Sequence, residues 1–228
     1  MRLKIISFLA CCIYLMPLTA QSDMKLIYVG DPMCSWCYGF SPELEKIVTH
    51  YQDELDLEII MGGLRPYHNV PISEMKDFLA HHWEDVGKAS GQPFEYGILD
   101  RSDLNYDTEP PCRASVVVRN MNKAKELDFF QEAQKAFYFH NKDMNQASTY
   151  HSIIEKLGLD TAKFDALFHS DEYKAAVKKD FEKARSIGVS SFPTLLIQNG
   201  QKTTVVARGY AKSETVVRSI RGMLEVNK

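Results

Sequence analysis

Cysteine is scarce in this chain, five among 228 residues. A single Cys-x-x-Cys pair, Cys34 and Cys37, stands without a second, and the others are Cys11, Cys12 and Cys112. That count excludes a disulfide-stapled scaffold. It also leaves a four-cysteine zinc site without half its ligands, and His81, His82, His140 and His151 offer no spacing that completes one. Met24, Met33 and Met61 give no copper-site spacing either, so no metal and no cofactor are expected. Charge of one sign is missing too: 27 basic residues oppose 30 acidic ones, for a net charge of −3. Without a basic block or an aromatic–basic stripe there is no electrostatic case for a nucleic-acid partner. No apolar run reaches the roughly 20 residues that span a bilayer. There is no internal repeat, low-complexity tract or linker. What remains is ordinary globular composition, 45% hydrophobic and 25% charged, in a chain long enough for one core carrying a sizeable insertion.

The first residues differ from the rest. Arg2 and Lys4 precede an apolar stretch from Ile5 to Leu18, and Thr19-Ala20 closes it with small residues. Basic start, short apolar run and small exit read as a signal peptide over residues 1–20. The expectation is a periplasmic or secreted protein with no stable membrane insertion once the leader is removed. A true start at Met24 would instead make it cytoplasmic. The apolar stretch before Cys11 is too short for a lipoprotein signal. Loss of Cys11 and Cys12 with the leader leaves Cys34, Cys37 and Cys112. One redox pair in an exported domain suggests catalysis rather than stapling.

Periodicity supplies the elements. Lys25 to Val29 reads as a buried strand, Cys34 to Tyr51 as a helix with Pro42 inside it, and Leu55 to Met61 as a second strand closed by Gly62-Gly63. Helices follow at 74–87, capped by Ser73, with Met75, Phe78, Leu79, His82 and Val86 on its apolar face. Further helices fall at 111–121, 125–141, 149–157, 161–168 and 172–187. Then Thr194 to Gln198 and Thr203 to Ala207 read as strands joined at Asn199-Gly200, a hairpin signal, before a last amphipathic helix at 213–226. A helical block over 65–187 thus interrupts one small α/β unit. Its halves, 24–64 and 188–228, are too short to fold apart and should share a sheet.

A cysteine pair that follows a strand and opens a helix has a definite chemistry. Unpaired amides and partial positive charge at the helix N-terminus favour a thiolate, the form that attacks disulfides. Cys34, first and more exposed, is the expected nucleophile, and Cys37, one turn deeper, the resolving thiol. Ser35 and Trp36 set the polarity between them and are candidate substrate contacts. A zinc half-site and a plain structural disulfide are the competing readings. The second motif is Gly188-Val-Ser-Ser-Phe192-Pro193-Thr194. Pro193 directly precedes a strand, and an X-Pro bond is the one place where a cis peptide is cheap; an ordinary loop proline is the alternative.

This layout resembles the thioredoxin fold, and the helical block resembles its DsbA-like branch. The strings Asp31-Pro-Met-Cys-Ser-Trp-Cys-Tyr-Gly-Phe40, His82-Trp83 with Gly91-Gln-Pro-Phe94, Pro111-Cys-Arg-Ala114 and Gly188 to Thr194 are similar to the FrnE-like subgroup of that branch, over about residues 24 to 225. The resemblance implies an α/β thioredoxin fold with a central mixed sheet and a large all-helical insertion. It implies a cis Pro193 beside Cys34, and a Phe192 backbone that pairs with an extended substrate. Phe192 departs from the smaller residue usual there. The implied activity is dithiol–disulfide exchange with unfolded or cysteine-containing proteins, served by an unidentified redox partner. Two alternatives stand beside it. One is a glutathione-dependent isomerase of the hydroxychromene type, whose members typically lack the full cysteine pair. The other is a non-catalytic peptide-binding chaperone. Cys112 reads as a small buried hydrophobe in preference to a third redox thiol, Arg113 as half of a surface ion pair, and Phe129, Phe130, Phe137, Tyr138 and Phe139 as core.

Overall fold

A computed structural model describes residues 24–226; the leader read over residues 1–20, with Cys11 and Cys12, lies outside them. Four strands form one sheet: β1 (Met24–Gly30), β2 (Asp56–Met61), β3 (Thr194–Asn199) and β4 (Lys202–Arg208), in the order β2-β1-β3-β4. β1 is parallel to β2, antiparallel to β3, and β3 and β4 are a hairpin. A parallel pair needs a crossover, and helix α1 (Ser35–Tyr51) supplies it. The hairpin turns at Gly200, φ 55°, a backbone that favours glycine.

Register decides where the site forms. Gly30, ending β1, pairs with Met61, ending β2. Val29 pairs with Thr194, which begins β3. The loop after β1, the loop after β2 and the loop before β3 therefore meet at one end of the strands. The Gly62 amide donates to the Gly30 carbonyl at 2.7 Å and fastens the first two together.

Between β2 and β3 run α2 (Lys76–Ser90), α3 (Glu109–Met121), α4 (Glu126–Tyr138), α5 (His151–Lys156), α6 (Thr161–His169) and α7 (Asp171–Ser186); α8 (Ser213–Val226) ends the described chain. The helical block packs on the sheet through a charged tie. Arg119 of α3 donates to the Ile59 carbonyl of β2 at 2.8 Å and binds Asp180 of α7 with both terminal nitrogens, at 3.0 and 2.9 Å. Asp180 also accepts the Met61 amide at 3.0 Å. On the other side Glu43 of α1 accepts the Ser213 amide at 2.9 Å, capping α8.

Three expectations need correction. α2 starts at Lys76, after a 3-10 turn over Ile72–Met75, and buries Leu79, Trp83 and Val86. Phe78 is 53% exposed against His82, because Trp83 takes the core side, ringed by Phe94, Phe137 and Tyr138. α4 stops at Tyr138, the chain turning out through Asn141 at φ 53°, so Phe139 is 40% exposed while the other four aromatics are buried. Arg113 is not on the surface. It is buried, with its guanidinium 4.1 Å from the Phe168 ring centre, 3.1 Å from Glu109 and donating to the Phe168 carbonyl at 2.7 Å.

Candidate active site

The loop from Gly30 to Cys34 turns the chain from β1 into α1. The Cys34 amide donates to the Asp31 carbonyl at 3.0 Å, and Cys34 holds the N-cap position in an extended conformation, φ −89° and ψ 115°. Its own side chain makes no cap hydrogen bond, so the first-turn amides of α1 keep their donor capacity and the positive end of the helix falls at this sulfur. Across the loop, Cys34 Sγ donates to the Phe192 carbonyl at 3.6 Å, from 158 positions away. The Phe192–Pro193 peptide is cis. Phe192 is half-buried, its ring against Gly62, where an added Cβ would come within 2.3 Å of ring atoms. That close approach requires glycine at position 62.

The two sulfurs have unlike surroundings. Cys34 is 5% exposed and Cys37 is 0%. Burial pushes the Cys37 thiol well up from its ordinary value, and the neighbouring Cys34 sulfur pushes the same way; the Tyr28 hydroxyl and the Asp31 backbone pull it down. A sulfur at a helix start that keeps a trace of exposure, above a wholly enclosed one, is an arrangement for attack by the first and release by the second. Cys34, Cys37 and Cys112 are all free thiols. Among the described residues no group of three or more His, Cys, Asp or Glu side chains is placed to hold a metal ion.

A family comparison matches residues 25–220 to the DSBA-like thioredoxin domain. The chain belongs to that family. Among solved structures it is similar to a Nitrosomonas europaea protein proposed to be a protein disulfide isomerase, with 32% identity and a TM-score of 0.83 over 90% of this chain and 99% of that one. It also shares its fold with the cytosolic disulfide reductase DsbM of Pseudomonas aeruginosa, at 21% identity and TM-score 0.75 over 89% and 99%. The ClpXP adapter protein SpxH of Halalkalibacterium halodurans is 22% identical over 191 residues, 78% of this chain; the match spans 60% of that relative's length.

In this DSBA-like domain the expected residues gather as follows. Cys34, Cys37, Phe192 and Pro193 come together. Ser35 and Trp36 are half-buried at the start of α1, with the Trp36 ring 6.3 Å from Tyr210. Cys112 is fully buried at the start of α3, consistent with a small core residue, but its thiol is not idle: it donates to Asp31 Oδ2 at 3.4 Å.

Asp31 escaped the sequence reading, where it figures only as the first residue of the string around the cysteine pair. Its carboxyl is 0% exposed and accepts the Met33 amide at 2.8 Å and the Leu64 amide at 2.7 Å, joining the cysteine loop to the loop after β2. Burial raises its pKa from the ordinary carboxylate value, and those two amides work against the rise. Tyr106 completes the support, its hydroxyl donating to the Met33 carbonyl at 2.6 Å. An acid beside a proline three positions before the cysteine was the available signal for Asp31. Nothing local marks Tyr106, which lies 73 positions from its acceptor.

Proposed function

We propose that this chain is a protein thiol–disulfide oxidoreductase working through Cys34 and Cys37. The observation that carries the reading is the asymmetric pair at the start of α1, with the Phe192 carbonyl at the outer sulfur. In the oxidising direction a substrate thiolate attacks Cys34 of the Cys34–Cys37 disulfide. The bond between substrate and Cys34 forms, the Cys34–Cys37 bond breaks, and Cys37 leaves as a thiolate that takes a proton. A second substrate thiolate then attacks the substrate sulfur, closing the product disulfide and releasing Cys34. In the reducing direction the Cys34 thiolate attacks a substrate disulfide and Cys37 resolves the mixed disulfide. Either cycle requires a separate partner to reset the pair, and its direction follows the pair's potential against its compartment.

The substrate is an extended, cysteine-containing segment of an unfolded or partly folded protein. Phe192 precedes a strand, and a short stretch of backbone pairing there reads any sequence. The half-exposed Trp36 and Tyr210 rings supply apolar contact beside it. Retention of both cysteines favours exchange over glutathione-dependent isomerisation of the hydroxychromene type. The leader sequence supports export, hence work in the periplasm or outside the cell, and the four strings noted above support a place in the FrnE-like subgroup.

Trapping decides the matter. Cys37→Ala should accumulate a mixed disulfide between Cys34 and a cysteine-containing peptide, seen by mass spectrometry and lost on adding thiol. Cys34→Ser should form none and should fail to reduce insulin or reoxidise an unfolded protein. A double Cys34→Ala, Cys37→Ala variant that kept turnover would overturn the assignment. One that lost turnover but still prevented aggregation would show a chaperone activity independent of exchange.

A further inference from the structure

Resolution of a mixed disulfide requires Cys37 to attack as a thiolate, yet Cys37 is wholly buried and burial opposes that ionisation. Something inside the fold must offer the new charge a hydrogen bond. The Asp31 carboxyl, an acceptor, could not help: it already serves Met33, Leu64 and Cys112. Besides the Asp31 backbone, which also favours the Cys37 thiolate, the side chain that does so is Tyr28. It sits in the middle of β1 at 0% exposure, and its hydroxyl has no hydrogen-bond partner of accepted geometry. After burial, the group that acts most strongly on that hydroxyl is the Cys37 thiol, and the hydroxyl in turn draws the Cys37 pKa down. A fully buried phenol without a partner is costly unless it has a use.

The sequence places it there deliberately. Tyr28 and Gly30 share one face of β1, two positions apart. A Cβ on Gly30 would fall 2.6 Å from the phenol oxygen and 2.6 Å from the ring carbon bearing it. Glycine at position 30 is therefore what lets the phenol lie along the strand end toward α1. Phe40, 6.4 Å away, and Phe130, edge-on at 5.7 Å, hold the ring.

We propose that Tyr28 is a positioning residue for the second thiol, donating its hydroxyl proton as a hydrogen bond to the Cys37 thiolate when that thiolate forms. This rests on the exchange reading above. Tyr28 keeps its proton throughout, in line with a phenol whose own ionisation is suppressed by burial and by Cys37 beside it. The reaction balances without it as a reagent. The Cys37 proton goes to solvent, the thiolate attacks Cys34 Sγ, the Cys34–Cys37 bond forms, and the bond from Cys34 to its partner sulfur breaks to release that partner as a thiolate. In the reduced protein the Tyr28 hydroxyl makes no hydrogen bond, and catalytic hydrogen bonds often form or tighten only as charge develops. The other ionisable groups facing Cys37 are Cys34 and Asp31 from the loop after β1 and Tyr138 from α4. None of them is altered by replacing Tyr28 with phenylalanine.

The test is a stopped-flow reaction of the reduced protein with 5,5′-dithiobis(2-nitrobenzoate), followed through released thionitrobenzoate. The first phase, which scales with reagent concentration, reports attack by Cys34. The second, independent of concentration, reports resolution by Cys37. Tyr28→Phe should leave the first phase within about twofold and slow the second roughly tenfold or more at neutral pH, the loss expected of a hydrogen bond to a charged group. Its second-phase pH profile should move to higher pH. A second phase with unchanged rate and unchanged profile overturns the role of Tyr28. Failure of the wild-type protein to show a second phase at all refutes the exchange reading and this proposal together. A measurement on the native tyrosine guards against misfolding of the variant. In a Cys34→Ala protein carrying 13Cζ-tyrosine, the Tyr28 resonance should shift as Cys37 ionises, and a resonance that ignores that ionisation also overturns the proposal.

Discussion

Replacing Glu126 by glutamine should remove a pH dependence from the protein's stability. Glu126 opens α4 with its side chain 3% exposed, and its Oε1 has no hydrogen bond. The cation that acts on it most is Arg119, 3.5 Å away, ahead of Lys123, and its guanidinium is already committed to Asp180 and to the Ile59 carbonyl. Burial therefore prevails over the pull of Arg119, and the carboxyl is raised from 4.5 to about 8. The folded protein holds this proton between those two values while the unfolded chain does not. More protons bound in the folded state means that stability falls as pH rises through that window, and levels off above about pH 8. The slope approaches about 1.4 kcal/mol per pH unit, so the loss from pH 5 to pH 8 is roughly 3 kcal/mol.

Glutamine has no proton to hold. The stability difference between Glu126→Gln and wild type should thus grow in the variant's favour by about 3 kcal/mol from pH 5 to pH 8. Urea unfolding at pH 5, 6.5 and 8, at constant ionic strength, reads it directly, with the two midpoints drawing apart by roughly 1 M or more. Glu126 belongs to the tie between β2 and the helical block, away from the thiols, so exchange rates should not change. Two stability profiles running parallel across that range would refute the reasoning. They would mean that Glu126 is charged in the fold and that Arg119 neutralises it in spite of Asp180.

Arg119→Ala should destabilise by about 3–5 kcal/mol in the same unfolding assay, because it strands the Asp180 carboxylate and the Ile59 carbonyl in a buried place; a loss under about 1 kcal/mol would show the tie to be solvated. Asp31→Ala takes the acceptor from the Met33 and Leu64 amides, each worth roughly 1–3 kcal/mol when left unpaired. It should also slow the first phase of the thionitrobenzoate reaction, and an unchanged first phase would show that the cysteine loop holds its shape without the staple. Gly62→Ala drives a Cβ into the Phe192 ring and should displace the carbonyl facing Cys34. Exchange with a peptide disulfide should fall by about tenfold while reaction with a small aromatic disulfide changes little, and equal effects on both would remove Phe192 from peptide contact.

Most of the frame was legible because it is written locally. β1, β3 and the hairpin are short apolar or alternating runs bounded by Pro, Asn and Gly. The cysteine pair and Phe192-Pro193 carry their chemistry in adjacent residues. Where the reading missed, a long-range choice overrode a local pattern. Two aromatic side chains on α2 competed for one inner face, and Trp83, the larger, prevailed over Phe78. Arg113, charged and next to a helix start, had every local mark of a surface residue until Phe168 and Glu109 closed over it.

The supports of the site were illegible for a related reason, which the strand register makes plain. Sequence gives strands but not their directions. Once β2 lies parallel to β1 and β3 antiparallel to it, the end of β1, the end of β2 and the start of β3 have to coincide. Asp31 then stands where the Leu64 amide arrives, and Phe192 where Cys34 arrives. A different direction for either neighbour would carry Leu64 or Phe192 to the opposite end of the sheet, some 17–20 Å away for a strand of ordinary length. The acid and the carbonyl acquire meaning only from the pairing. The tyrosine differs, since its spacing of two from Gly30 and six from Cys34 is local. A bulky polar residue mid-strand, followed two positions later by the one residue without a Cβ, is a pattern readable in advance once the need for a donor beneath Cys37 is understood.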